Sequence, residues 1–444
     1  MIDRTPEWVA AGAGGRLVAG DPRAGGPRRV VADSRALAPG DLFVGLPGAH
    51  VDGGAFAGDA LAAGAWGVLV RPEHVSRPPP EGAVVIAADD PLSALGRLAR
   101  AWRRELGAAT IGITGSTGKT STKDILAALL RPHRRTHASR ENFNTEVGLP
   151  LSILEAPRDT RALVLEMAMR GEGQIAELTA IAEPDVGVIV NVGPVHLELL
   201  GTVERVAAAK AELVHGLRPG ATCVVPAREP LLEPHLRTYV ETVTFGPGGD
   251  VELVSSDESG RVEIDARGDR VELELPYRQP HNLLNTLAAV AAAQVVGVVS
   301  AGRVEVTFSP LRGQEVELSE GVTVVNDCYN ANPMSMRAAL DHLAAAPARR
   351  RIAVLGTMAE LGPEAPRYHA EVGRRAAEAG IDVLVAVGDE ARSYLDAFEG
   401  PERHGVASPE EAGALLERLA RPGDRVLVKG SRSAGLERVV GDRR

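Results

Sequence analysis

Lysine is nearly missing from this chain. Of its 49 basic residues only Lys119, Lys123, Lys210 and Lys429 are lysine; the rest are arginine. Where positive charge alone suffices the chain writes arginine, so each lysine marks a place that wants a slim ammonium or a reactive amine. Cysteine is equally scarce: Cys223 and Cys328 can build neither a disulfide framework nor a structural zinc site, and a reducing cytoplasm is the expected setting. No apolar run approaches the roughly 18 residues of a membrane-spanning helix, so insertion in a bilayer is not expected. The first residues lack the basic-then-apolar order of a secretory leader. A net charge of −10 argues against a sequence-independent nucleic-acid binder. What is present is 444 residues, 44% hydrophobic and 24% charged, an ordinary soluble composition with room for about three domains.

The patterning divides the chain in three. Residues 1–88 are rich in Gly and Ala, with short strands at 30–32, 41–44, 67–70 and 83–86 and a helix at 56–65. Residues 71–82, with Pro72 and Pro78 to Pro80, read as a loop. The Gly12, Gly14, Gly15 cluster is not a dinucleotide fingerprint, because no strand precedes it. A helix at 91–106 leads into residues 89–310. Here strands at 110–114, 161–166, 185–191 and 222–226 alternate with helices at 121–130 and 202–217, the signature of a helix-covered parallel sheet. Residues 250–276 alternate apolar and polar as a small antiparallel insert, before an apolar helix at 282–296. Residues 311–444 carry four buried-type strands, at 321–326, 351–355, 382–387 and 424–429, and form a second doubly wound unit. The predicted fold is therefore α/β in three domains. A small α/β domain (1–88) precedes a central P-loop parallel-sheet domain (89–310) and a Rossmann-like domain (311–444).

In open parallel sheets ligands bind beyond the carboxyl ends of the strands. The strongest motif lies there: Gly112, then Gly115-Ser116-Thr117-Gly118-Lys119-Thr120-Ser121, between a strand and a helix. It reads as a phosphate loop, with Lys119 reaching the β/γ-phosphates and the Thr120 hydroxyl holding Mg²⁺, although Ile113 stands where the general pattern has glycine. Glu166 ends an apolar run, where a carboxylate is costly unless paired or on a metal, so a metal role is expected. His196 reads either as a functional group or as a helix cap or core histidine. Lys210, in an apolar helical stretch where an unpaired buried ammonium is unfavourable, reads either as a functional amine or as a lysine snorkelling from a helix face. Lys123 reads as a solvated helix residue.

Taken together, these motifs resemble the Mur ligases, ATP-dependent amide ligases of peptidoglycan precursor synthesis. The phosphate loop is followed in family order by Glu166-Met167-Ala168-Met169, Asn191 to Glu198, Ala209-Lys210-Ala211-Glu212 and His281-Asn282-Leu283-Leu284-Asn285. The segment Asn326-Asp327-Cys328-Tyr329-Asn330-Ala331-Asn332-Pro333-Met334-Ser335-Met336 resembles the members that add the dipeptide D-Ala-D-Ala. So do Glu141 to Pro150 and Gly356 to Gly362. The likeness runs from Asp33-Ser34-Arg35 to Lys429-Gly430-Ser431-Arg432, and the Asp-Asn-Pro-Arg element of the diamino-acid-adding members is absent.

The resemblance implies that the first domain holds a UDP-muramoyl tripeptide, with Ser34 and Arg35 among its contacts. It implies ATP on residues 115–121, with Asn282 and Asn285 at the adenine, Asp327 near the ribose and Arg312 as the arginine on the nucleotide. Mg²⁺ would sit on Thr120 and Glu166, with a second ion on His196 and on Lys210 carbamylated by CO₂. Lys119, Lys210 and His196 would form the catalytic set. Asn144 and Thr145 would lie near the muramoyl substrate, Asn330 and Asn332 among the substrate contacts, and Lys429 and Arg432 would complete the closed site near phosphate or a substrate carboxylate. The chain departs from the family at Gly54, where a histidine usually follows Asp-Gly, and around Gly313, where the arginine precedes rather than follows the glycine. A monomeric cytoplasmic enzyme is expected. The competing readings are a Mur-type ligase adding one amino acid, and a P-loop switch that makes no amide.

Overall fold

The computed structural model describes residues 4–75, 81–140, 142–319 and 321–441. Pro78 to Pro80, and Glu141 of the Glu141–Pro150 motif, lie outside these residues. The fold is α/β, with three sheets following one another along the chain.

The first sheet has five strands. Val30–Val31, Leu42–Val44, Gly67–Val70 and Val84–Ala87 pair in parallel, and Arg16–Ala19 adds an antiparallel edge. That edge strand and the helix Pro6–Ala13 before it were not expected. The glycine cluster serves them: Gly14, at φ 62, ends the helix in the left-handed conformation that glycine adopts freely. Among the described residues of the expected irregular stretch at 71–82, Pro72–His74 form a 3-10 turn.

The helix Pro91–Leu106 packs its buried face, including Leu95, Leu98 and Trp102, into one core shared by the first and central lobes. Asp90 caps its start, accepting from the amides of Leu92 and Ser93.

The central sheet has ten strands. Ala109–Thr114 lies between Ala162–Glu166 and Val186–Ile189, all parallel, so the strand order reverses at the strand that feeds the phosphate loop. The stretch expected as a small antiparallel insert is antiparallel, and it extends this sheet. Val251–Ser256, Arg261–Ala266 and Asp269–Glu274 form an antiparallel meander, joined in parallel to Glu241–Phe245 at Phe245 and Val251. Alternation explains it: Val262, Ile264, Val271 and Leu273 face the core while their neighbours face water. The helix Pro280–Val295 lies beneath, and its run of small buried residues, Ala288 to Ala293, brings it close against the helix Lys119–Leu130.

The third sheet has six strands, two more than expected. Gln314–Ser319 is an antiparallel edge carrying Glu315 and Glu317, and Glu402–Val406 is the opposite edge. Between them Val322–Asn326, Asp424–Lys429, Arg350–Gly356 and Val383–Val387 form the buried parallel centre.

Candidate active site

A cavity of about 1140 Å³ opens between the central and third lobes, lined by the phosphate loop, the start of the helix Pro280–Val295 and the Asp327–Ser335 turn. The loop is preformed. Gly118 caps the helix Lys119–Leu130 at φ 76 with no side-chain cap, which leaves that helix's positive end open toward the cavity. A Cβ on Gly118 would lie 2.5 Å from Asn285 Oδ1, so this position requires glycine twice over. Asn191 clamps the loop: its Oδ1 accepts from the amides of Ser116 (3.1 Å) and Thr117 (2.9 Å), and its Nδ2 donates to the Thr117 carbonyl (3.1 Å). Its place after a strand end drew attention to the segment, but nothing in the sequence assigned it this clamp.

Lys119 donates to the Gly115 carbonyl at 2.8 Å. Burial holds its ammonium below the ordinary lysine range, the Glu166 carboxylate works against that shift, and Arg312 adds to it. Thr120 Oγ1 donates to Glu166 Oε2 at 2.8 Å, and Asn144 Nδ2 donates to Oε1 at 2.8 Å. Thr120 and Glu166 are both 2% exposed. Both donors to this buried carboxylate are neutral, so beside the Lys119 ammonium a further cation would help compensate its charge. A hydroxyl and a carboxylate are oxygen donors that suit Mg²⁺, which takes few protein ligands beside phosphate and water. No group of three or more His, Cys, Asp or Glu side chains able to hold a metal occurs among the described residues, so such an ion would lean on the phosphates.

For Lys210 the snorkelling alternative fails, and for Lys123 the solvated reading fails. Lys210 does not snorkel: it is 2% exposed on the helix Val203–Gly216. Burial, helped by repulsion from Lys119, pushes its ammonium well below the ordinary range. Lys123 is not solvated; its Nζ donates to the Ser139 carbonyl (2.7 Å) and pairs with Asp124 (3.0 Å). It helps hold the strand end that carries Glu166, whose amide donates to Ser139 Oγ at 3.2 Å.

The third lobe reaches the loop directly. Asn332 Nδ2 donates to the Ser116 carbonyl at 3.3 Å, and Met334 fills the space above Gly193 that a side chain there would need. Asn332 also caps the helix Pro333–Ala345 in a reciprocal box with Ser335. Asp327, Asn330 and Lys429 line the cavity as a unit, with Lys429 Nζ 2.6 Å from Asp327 Oδ2 and 3.0 Å from the Asn330 carbonyl. Arg312 stacks on Tyr329, 4.3 Å from the ring centre, and lines the cavity with its Nε unpartnered. Asn144, Thr145, Ser121, Asn282 and Asn285 line it too. His196 joins the wall, its Nδ1 bonded to Glu360 of the third lobe. That bond holds the Glu360 carboxyl below its usual range. Further titratable groups reach the cavity, among them Glu229, raised by burial, and His281 and His342, lowered by it; the sequence marks His281 only as the start of the His281–Asn285 motif and does not mark Glu229 or His342.

Of the expected site residues, Gly115, Lys210, Arg432, Ser34 and Arg35 do not line the cavity. Arg432 is exposed, 3.8 Å from Glu437 and off the cavity wall, because the 3-10 turn Arg432–Ala434 turns it outward. Ser34 and Arg35 lie on the first lobe, exposed and away from the cavity, with Arg35 paired to Asp33.

Three family models match in series: the Mur ligase family catalytic domain over residues 28–103, the Mur ligase middle domain over 113–293, and the Mur ligase glutamate ligase domain over 311–432. A Synechocystis protein named UDP-N-acetylmuramoyl-tripeptide–D-alanyl-D-alanine ligase is 37% identical, covering 93% of this chain and 90% of its own. The chain belongs to the Mur ligase family. Among solved structures, MurF from Acinetobacter baumannii superposes with a TM-score of 0.88 at 27% identity, covering 99% of this chain and 98% of that one. MurF ligase from Thermotoga maritima, solved in complex with ADP, gives 0.82 at 32% identity, covering 93% and 96%. Against the Mur ligase pattern, the departure at Gly54 has a local counterpart. The His74 ring occupies the space a side chain at 54 would take, and its Nε2 lies 3.3 Å from Asp52, so an imidazole reaches this place from a different position in the chain.

Proposed function

We propose that this Mur ligase joins D-Ala-D-Ala to the terminal carboxylate of UDP-N-acetylmuramoyl-tripeptide at the expense of ATP, the last cytoplasmic step of peptidoglycan precursor synthesis. One observation carries the reading: the Asn326–Met336 segment, whose sequence resembles the dipeptide-adding members, is docked on the phosphate loop through Asn332 and on the neighbouring Gly193 through Met334. A P-loop switch has no use for such a second lobe.

The chemistry takes two steps. The acceptor carboxylate attacks the γ-phosphorus of ATP, ADP leaves, and an acyl phosphate forms. The dipeptide amine then attacks the acyl carbon, and phosphate leaves as the amide closes. Several anions must meet in one cavity. The open helix end at Gly118 and the Lys119 ammonium offset their charge, and both are in place before the nucleotide arrives. Mg²⁺ held by Thr120 and Glu166 would supply further charge neutralisation at the phosphates. Asn282 and Asn285 serve the adenine and Asp327 the ribose; Arg312, free at Nε, turns toward the nucleotide. Asn144 and Thr145 border the acceptor, and Asn330, Asn332 and Lys429 the dipeptide. The shut cavity excludes water that would otherwise hydrolyse the acyl phosphate.

Lys210 fits carbamylation on its own chemistry. Burial that lowers the pKa of this amine favours its neutral form, and a neutral amine can add to CO₂, forming an N–C bond and releasing a proton; the product is an anion suited to a cation site, which arginine could not give. His196 is the other residue assigned to that second ion.

The test uses purified protein with ATP, Mg²⁺ and UDP-N-acetylmuramoyl-tripeptide. Phosphate release should require D-Ala-D-Ala. Equal turnover with a single amino acid, and none with the dipeptide, would reject the assignment.

A further inference from the structure

His196 and Glu360 meet across the cleft between the central and third lobes, 164 residues apart in the chain. Both have left-handed backbones, at φ 54 and φ 63, and only five non-glycine residues do so among those described. Side chains avoid this conformation, and it persists where the surroundings over-determine it. Here they do. The Glu198 amide donates to the Glu360 carbonyl at 3.1 Å, and Arg170 Nε lies 3.2 Å from Glu360 Oε1.

The loop that presents Glu360 is rigid within the third lobe. Ser431 Oγ accepts from the Ala359 amide (2.9 Å) and donates to the Ala331 carbonyl (3.3 Å). His369 Nε2 accepts from the Met358 amide at 3.0 Å. Ser431 therefore ties the Glu360 loop to the Asn330–Asn332 turn, and the two contacts with the central lobe, Asn332 on Ser116 and Glu360 on His196, travel as one body. An imidazole whose Nδ1–H is taken by a carboxylate is held in the tautomer that carries its lone pair on Nε2.

We propose that Glu360 is a positioning residue: when the third lobe shuts, its carboxylate accepts a hydrogen bond from His196 Nδ1–H, which stays on the ring, and sets the ring so that Nε2 serves the cavity. The site is then complete only while the lobe is closed, and nucleotide bound to the open form is not committed to reaction. What Nε2 does there rests on the ligase reading; the pairing and its dependence on closure do not.

The test compares wild type, Glu360→Ala and Glu360→Gln. Nitrogen-15 spectra of the His196 ring are recorded with a non-hydrolysable ATP analogue and Mg²⁺. Wild type should show the Nδ1-protonated ring. Glu360→Ala should lose it, and Glu360→Gln, which keeps an acceptor, should restore it. In turnover, Glu360→Ala should lower kcat by about 10–100-fold, as loss of an orienting partner does, while KM for ATP stays put and Glu360→Gln recovers part of the rate. An unchanged ring spectrum in Glu360→Ala, or an unchanged kcat, would overturn the proposal. Should wild type fail to ligate D-Ala-D-Ala while the ring still responds, the ligase reading falls and the positioning role stands.

Discussion

The side-chain amide of Asn332 donates to the backbone carbonyl of Ser116, so a residue that caps a third-lobe helix also touches the phosphate loop of the central lobe. The two jobs can be separated. Asn332→Ala removes both, and loss of the cap alone should cost about 1 kcal/mol of stability. Asn332→Asp keeps the acceptor for the Ser335 amide but loses the donor and brings a negative charge toward the phosphates. Its melting temperature should stay near that of wild type while kcat/KM for the dipeptide falls by about tenfold or more, the size of a lost charge-sensitive hydrogen bond. Equal melting and equal rates for both variants would show that this contact does nothing.

Closure should be just as sensitive on the opposite wall. A side chain at Gly193 would collide with Met334. Gly193→Ala should therefore keep nucleotide affinity, set by the loop and the helix end, while holding the third lobe ajar. Small-angle scattering with an ATP analogue should show wild type contracting and this variant remaining extended. Pairing it with Met334→Ala should restore contraction.

Much of this site could be read from sequence because its parts are local. A strand, a glycine-rich bend, Lys119 and Thr120 fall within the twelve residues from Ala109 to Thr120, and their geometry follows from their order. The hydrophobic runs of the buried strands were equally legible. The edge strands Gln314–Ser319 and Glu402–Val406 were not, because exposed edges carry charge and glycine instead of an apolar run. Lys123 was misread for a different reason: its partner, the Ser139 carbonyl, comes from another element, and helical position alone does not reveal it. The pairing of His196 with Glu360 and the clamp of Asn191 on the loop depend on which segments the fold brings together, which no local pattern encodes.

Carbamylation of Lys210 makes its own prediction. Lys210→Ala should abolish ligation, and added short carboxylates should restore part of it by entering the vacated space. Lys210→Arg should not be active, since a guanidinium cannot form the carbamate. Mass spectrometry of the intact wild-type protein under bicarbonate should show the added CO₂. Full activity in Lys210→Ala would remove the carbamate from the mechanism.

His369 should make the Glu360 loop acid-sensitive. It is fully buried, donates from Nδ1 to the Ala365 carbonyl and accepts the Met358 amide at Nε2. Burial lowers its pKa from the ordinary 6.5. Below that value the unfolded chain takes up a proton that the folded chain resists, so stability falls as pH drops from about 6.5. Protonation would also set two N–H groups against each other at Met358. Melting temperature followed from pH 7.5 downward should decline, and His369→Gln, which does not titrate, should show a shallower slope. A parallel slope in both proteins would exclude His369 as the cause.

The central claim is that the γ-phosphoryl group activates the acceptor carboxylate before the amine arrives. Acceptor tripeptide labelled with oxygen-18 in its terminal carboxylate tests it directly. The account predicts that each turnover with D-Ala-D-Ala transfers one labelled oxygen to the released phosphate. Phosphate released without label, its new oxygen drawn from water, would contradict it.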